Sequence, residues 1–168
     1  FAHDKNCEGN QDKMKSNNGG PRMGWVYEKF DMSANATRPM VTPIKKIGSG
    51  NGELIIIDQA NGVPFEPKRF FYAKGMHKGD KRGGHAHKKL KQFLWVIRGK
   101  FRVRLIARDS AEINMTIEDD SVGIYVPPMT WVEYWAEQEE SICGVVASAS
   151  YTEEDYIRNY NDFIGKKN

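Results

Sequence analysis

From residue 44 onward this chain is a succession of short apolar runs punctuated by turn residues. The runs lie at 44–47, 54–57, 69–73, 93–97, 101–106, 113–117, 123–126, 131–135 and 142–147. Between them sit Gly48-Ser49-Gly50-Asn51-Gly52, Asn61-Gly62, Lys78-Gly79-Asp80 and Arg98-Gly99, residues that supply the backbone geometry of tight turns. Runs this short suit strands better than helices. Phe101, Val103 and Leu105 alternate with Arg102 and Arg104, the pattern of a strand with one face in a core and one in water. Many short strands at this spacing predict an all-β domain, either a barrel or a jelly-roll sandwich.

One segment departs from that pattern. Thr152 can cap a helix with Glu153, Glu154 and Asp155 in its first turn. Tyr156, Tyr160, Phe163 and Ile164 would then share one face. The expected organisation is a β domain over residues 44–168 that ends in one C-terminal α-helix, preceded by an N-terminal arm or tail over residues 1–43. The arm is rich in Asn, Lys, Gly, Asp and Met and shows no sustained period. A short ordered piece is expected at residues 24–27, and Arg38-Pro39 and Thr42-Pro43 mark extended geometry.

Composition narrows the partners. The chain has 168 residues, 39% of them hydrophobic, which suits a single domain. Its net charge of +3 comes from 25 basic and 22 acidic residues. That balance argues against nucleic acid but permits a phosphate-bearing small ligand. No apolar run is long enough to span a bilayer, so no membrane association is expected. Cys7 and Cys143 provide no disulfide framework, and the apolar setting of Cys143 makes it a core thiol. Asn35-Ala36-Thr37 and Asn114-Met115-Thr116 fit the N-glycosylation triplet, which matters only in a secreted eukaryotic chain. The expected location is cytoplasmic, or outside the cell if Phe1 is a processed N-terminus.

The chemistry concentrates at residues 82–88, Arg82-Gly83-Gly84-His85-Ala86-His87-Lys88. Histidines one residue apart on an extended segment project to the same side of a sheet. Imidazoles titrate near neutral pH and suit proton transfer, and they also ligate metals. Gly83-Gly84, His85-x-His87, Gln92 and Gly99 together resemble the first motif of the cupin barrels, where two His and a Glu hold a metal. The second motif calls for Gly, Pro and His, and here reads Gly123, Pro127 and Val132. The metal set is thus broken twice, by Gln92 in place of a carboxylate and by Val132 in place of an imidazole. Two imidazoles and an amide make a poor site for a divalent first-row metal, and His77 is off the motif spacing. No metal and no other cofactor are expected. His85 and His87 are then free to act as acid and base. Arg69, Arg82, Lys88 and Lys89 are cations able to hold a diphosphate, although a solvated rim is the ordinary fate of each alone.

The run Lys81-Arg82-Gly83-Gly84-His85-Ala86-His87-Lys88-Lys89 resembles the signature of the nucleotide-sugar 3,4-ketoisomerases, RmlC-like cupin enzymes acting on dTDP-4-keto-6-deoxyglucose. The resemblance extends over residues 44–163. It takes in Pro64-Phe65 leading to Lys68-Arg69, the segment Val122-Gly123-Ile124-Tyr125-Val126-Pro127, Trp131, and the ending Asp155-Tyr156-Ile157-Arg158-x-Tyr160-x-x-Phe163. It implies a metal-free homodimer of cupin jelly-roll barrels that interconverts the 4-keto and 3-keto forms of a nucleotide-linked 6-deoxy sugar. A histidine of the pair would move a proton between C3 and C4 through an enediol. Carried over residue by residue, His85 and His87 are the catalytic candidates. Arg69, Tyr72, Arg82, Lys88, Gln92, Tyr125 and Trp131 are the substrate-binding candidates. Three departures each remove a polar group: Phe71 stands where the family has a tyrosine, Asn51-Gly52 where it has Arg-Gly, and Trp131-Val132 where it has Trp-His. They leave open a second reading, a non-catalytic cupin that binds a sugar or nucleotide sugar in a secreted or structural role. A metal cupin such as a dioxygenase is a third.

Overall fold

The computed structural model describes residues 36–118, 120 and 122–165. The expectations for residues 1–35, including the ordered piece at 24–27, Cys7 and the acceptor Asn35 of the first glycosylation triplet, lie outside the described residues. Among the described residues there are twelve strands: β1 (Met40–Pro43), β2 (Lys45–Ser49), β3 (Gly52–Ile56), β4 (Arg69–Met76), β5 (Lys81–His87), β6 (Gln92–Arg98), β7 (Phe101–Ile106), β8 (Glu112–Ile117), β9 (Val122–Val126), β10 (Trp131–Ala136), β11 (Ser141–Ala147) and β12 (Tyr156–Ile157). A short α-helix, α1 (Tyr160–Gly165), follows them.

The strands form two five-stranded antiparallel sheets, ordered β1-β9-β6-β11-β4 and β12-β5-β10-β7-β8, with β2 and β3 as a separate ribbon. This is the all-β jelly roll that the short runs call for. Strand β1 comes from the stretch read as an arm and pairs with β9, Met40 opposite Tyr125.

Period-2 alternation sorts the side chains into three layers. The inner layer holds Leu94, Val96, Phe101, Val103, Leu105, Ile124, Val132 and Val145. Phe101, Val103 and Leu105 are fully buried, while Arg102 between them is exposed. Cys143 belongs to this layer, and burial pushes its thiol well up. A second layer covers the outside of the first sheet, with Ile44, Val63, Phe65, Phe93, Trp95, Tyr125 and Val146. A third covers the outside of the second sheet, with Ala86, Ile106, Trp131, Ile157 and Phe163.

The C-terminal segment differs from the single helix expected from Thr152. Glu153–Asp155 is one 3-10 turn, Tyr156–Ile157 is strand β12, and helix begins only at Tyr160. Tertiary hydrogen bonds outweigh the local propensity. The Asp155 carboxylate turns inward to accept from Lys89 N at 2.8 Å and Leu90 N at 3.2 Å, and its carbonyl accepts from Lys88 N at 2.9 Å. Tyr156 and Ile157 pair with His87 and Ala86 of β5. The Thr152 hydroxyl bonds Glu154 instead of capping a helix. Asn159 serves α1 instead, its side chain accepting from Asn161 N at 2.8 Å and Asp162 N at 3.2 Å. Tyr156 and Phe163 therefore do not share a face: Tyr156 lies beside the histidines and Phe163 against Trp131.

Candidate active site

The site lies at β4 and β12, edge strands of the two sheets, which contribute Arg69 and Tyr156 to it. Its centre is set by two glycines. Gly83 and Gly84 have φ of 81° and 72°, in the left-handed region that side-chain-bearing residues rarely adopt. A Cβ on Gly83 would lie 2.4 Å from the Val132 carbonyl oxygen. Strand β5 thus hugs β10, the register shifts between Val132 and Glu133, and His85 falls opposite Val132.

His85 and His87 then face inward together, their rings edge-on with centroids 5.0 Å apart. Tyr156, paired with His87, closes the group, its ring 4.2 Å from His87 and 4.9 Å from His85. His87 Nδ1 lies 3.1 Å from Asp155 Oδ2. A carboxylate at that nitrogen selects the tautomer that donates from Nδ1 and leaves the lone pair on Nε2. His87 is only 3% exposed. Burial pushes its pKa down to about 4, with help from His85 and Arg69 and against the pull of Asp155. Burial also lowers His85, which stays partly open to solvent. The His87–Asp155 contact is accordingly a hydrogen bond from a neutral ring, and at neutral pH the site holds two unprotonated imidazoles.

Beside them is a cavity of about 190 Å³ whose walls include Arg69, His87, Lys89, Ser148, Tyr151 and Tyr156. Pockets that bury a drug-sized ligand run to roughly 300–1,000 Å³. This cavity has room for one ring and leaves the rest of a larger ligand on the rim. The Arg69 guanidinium lies 5.0 Å from the Phe71 ring and 5.8 Å from that of Tyr151, and its Nε is buried without a partner.

Of the residues singled out from sequence, the structure brings together His85, His87 and Arg69. Gln92 is buried at the start of β6, two residues before the inner-layer Leu94. Arg82 is exposed on β5 opposite Tyr134. Lys88 is exposed and off the cavity wall, its ammonium bonded to the Glu154 carbonyl. Three residues lie on other faces. Tyr72 is an odd number of residues from Arg69, so it points outward, 51% exposed and beside Phe70. Tyr125 packs on Phe65 in the second layer, with centroids 6.2 Å apart. Trp131 packs on Tyr160 and Phe163 in the third. Val132 is in the inner core, and His77 pairs with Glu139 at 2.8 Å. Among the described residues no three of His, Cys, Asp and Glu group so as to hold a metal ion. Asp155, Tyr156 and Tyr151 were missed, because the helical reading of residues 152–164 absorbed the first two.

Residues 37–168 match the family described as "FdtA: WxcM-like, C-terminal". A TDP-4-oxo-6-deoxy-alpha-D-glucose-3,4-oxoisomerase of Aneurinibacillus thermoaerophilus is 38% identical over 125 residues, 73% of this chain and 88% of that one. QdtA, a sugar 3,4-ketoisomerase of Thermoanaerobacterium thermosaccharolyticum solved in complex with TDP, is similar with a TM-score of 0.71 and 35% identity, over 77% of this chain and 93% of its own. The RmlC epimerase of Mycobacterium tuberculosis, at 14% identity and a TM-score of 0.59 over 70% of this chain and 66% of its own, shares the fold. On the profile match and the 38% identity, the chain belongs to the FdtA, WxcM-like family.

Proposed function

We propose that this protein is a sugar-nucleotide 3,4-ketoisomerase, acting in the cytoplasm on a TDP-linked 4-keto-6-deoxy sugar by proton transfer through the His85–His87 pair. The observation that carries the reading is the pair itself: two neutral imidazoles in ring contact, of which His87 is anchored by Asp155 and shares with Arg69 the wall of a ring-sized cavity. The Aneurinibacillus and Thermoanaerobacterium relatives named above are isomerases of this kind.

The chemistry needs no redox partner. An imidazole takes the proton from C3, whose acidity comes from the adjacent C4 carbonyl. The C–H electron pair becomes the C3=C4 bond, and the carbonyl pair moves onto O4. The hydroxyl proton leaves O3, O4 gains one, and C4 receives a proton as the C3 carbonyl forms. No atom is gained or lost. Neutral imidazoles are the form the first step requires. Arg69 supplies the positive charge that a developing enolate needs, and Lys89 at the rim is placed for the diphosphate. Bringing that anion in raises the basicity of His87, because it offsets the charge of Arg69. Incubation with dTDP-4-keto-6-deoxyglucose in deuterated water tests the reading. Deuterium at the sugar C3 or C4 is expected, and a sugar recovered unlabelled and unisomerised would refute it.

We also infer a homodimer. The β2–β3 ribbon pairs with neither large sheet, and a lone two-stranded ribbon is marginal in water. Ile55 packs on the second layer while Ile47 and Leu54 are 50% and 60% exposed. Phe70 and Tyr72 on edge strand β4 are likewise more than half exposed. A second copy covering these surfaces accounts for both.

A further inference from the structure

Among the described residues three buried side-chain polar atoms have no hydrogen-bond partner: Arg69 Nε, His87 Nε2 and Thr130 Oγ1. The first two belong to residues of the cavity wall, but Thr130 does not line the cavity. It is 1% exposed, in the turn before β10.

Its neighbours fix where it points. Met129 and Trp131 both pack into the outer layer beneath α1, and Val132 is in the inner core. Thr130 immediately precedes β10, and carrying back the strand's phase, Trp131 out and Val132 in, turns Thr130 inward. Val132 pairs with His85, and Met129 N donates to the His87 carbonyl at 2.7 Å. Thr130 therefore falls across the β5–β10 pair from His87, on the side that carries the His87 ring. Cross-strand neighbours on one face have Cβ atoms roughly 5 Å apart. Two orphaned polar atoms at such neighbouring positions are not a coincidence to leave unexplained. Buried hydroxyls are almost always satisfied, and an ordered water with several polar partners is the usual means where no side chain reaches.

We propose that Thr130 is a positioning residue for His87, its hydroxyl holding one buried water against Nε2. The ring is then tied at both nitrogens, by Asp155 at Nδ1 and by the Thr130-held water at Nε2. That fixes its plane and keeps Nε2 as the lone-pair side in the substrate-free site, until the sugar displaces the water. The other groups facing the ring, His85, Tyr156 and Arg69, cannot do this, since the first two meet it through ring contacts and Arg69 opposes its protonation by charge. The proposal rests on reading the histidine pair as the proton-transfer group.

The test compares Thr130→Val, which removes the hydroxyl and keeps the shape, with Thr130→Ser, which keeps the hydroxyl. Two readouts are needed. In turnover of dTDP-4-keto-6-deoxyglucose, Thr130→Val should lose about tenfold in kcat with KM nearly unchanged, and Thr130→Ser should retain wild-type kcat. In the substrate-free protein, the ¹⁵N resonance of His87 Nε2 should move toward that of a free lone pair in Thr130→Val and stay put in Thr130→Ser. Thr130→Ala repeats both measurements should valine disturb folding. An unchanged Nε2 resonance in the hydroxyl-free variants overturns the proposal, whatever happens to kcat, because a lost packing contact would not report at that nitrogen. The resonance is read without turnover, so a wild-type protein that fails to isomerise the sugar sinks the functional reading and leaves this one decided by the spectra.

Discussion

Acid should destabilise this protein well above the pH at which its carboxylates titrate, and His87 sets the size of the effect. Its pKa is pushed down to about 4, against 6.5 for an unperturbed histidine. Above pH 6.5 the ring is neutral in both the folded and unfolded chain, and it places no pH-dependent load on stability. Between pH 6.5 and about 4 the unfolded chain binds a proton there that the folded chain refuses, so stability falls as pH falls. Below about 4 both states bind it and the loss stops growing. A gap of about two and a half pH units, at about 1.36 kcal/mol per unit, amounts to a loss of about 3 kcal/mol. His85 is shifted the same way and adds to it. His77, raised by its contact with Glu139, works in the opposite sense at the exposed end of the fold. Urea unfolding at half-unit steps from pH 7 to pH 4.5, on wild type and on His87→Gln, isolates the His87 share together with its coupling to His85 and Asp155, since groups remote from the ring cancel in the difference. The wild-type curve should fall more steeply than the variant's across the window. Parallel curves would show that His87 is not held neutral by burial, and the account of the site as two unprotonated rings would fail with it.

Other outcomes follow from the same geometry. His85→Asn and His87→Asn should each lower turnover about 10²–10⁴-fold with folding retained, as monitored by circular dichroism; wild-type rates in both would remove the pair from the mechanism. Asp155→Asn keeps the shape but can present an amide nitrogen to His87 and two backbone donors, so kcat should drop at least about tenfold and Tm should fall with it; a variant unchanged in both would show that the carboxylate does not hold the ring. Sedimentation equilibrium should give twice the 19.2 kDa chain mass, and the double substitution Ile47→Asp with Leu54→Asp should shift it toward one chain; a monomeric wild type at micromolar concentration would refute the dimer. Treatment with a chelator should leave isomerisation unchanged, and loss of activity restored by added iron, zinc or manganese would point to a metal centre instead.

The β architecture was legible because its signal is local: alternation at Phe101, Val103 and Leu105 reports burial directly. The histidine pair was legible for the same reason, since two residues on one strand share a face by geometry alone. What failed was the choice of face elsewhere. Tyr72, Tyr125 and Trp131 sit inside motif segments, yet each is one residue out of phase with an inward neighbour, Phe71, Ile124 and Val132 respectively, so Tyr125 and Trp131 are spent on packing and Tyr72 faces outward. Lys88 is out of phase with His87 in the same way. Asp155 failed differently. Three acidic residues after a threonine read as a helix start, and only the backbone donors of Lys89 and Leu90, distant in sequence, reveal that the third acid is claimed by the barrel.

The order in which the chain supplies its parts has a consequence for biosynthesis. Both sheets have every strand but β12 by residue 147, and the pairing that brings Asp155 and Tyr156 to the histidines joins residues 69 or more positions apart, Tyr156 with His87. On the ribosome the barrel can begin to condense while this last segment is still inside the exit tunnel, since chains fold vectorially as they emerge. At that stage His87 has no anchor and the cavity has no far wall. The nascent barrel is thus formed before it is competent, and competence arrives in one late step when residues 151–157 emerge and dock. A premature stop after β11 would leave His87 without its anchor and Ala86, Ile106 and Trp131 without their cover, and so yield an inert chain.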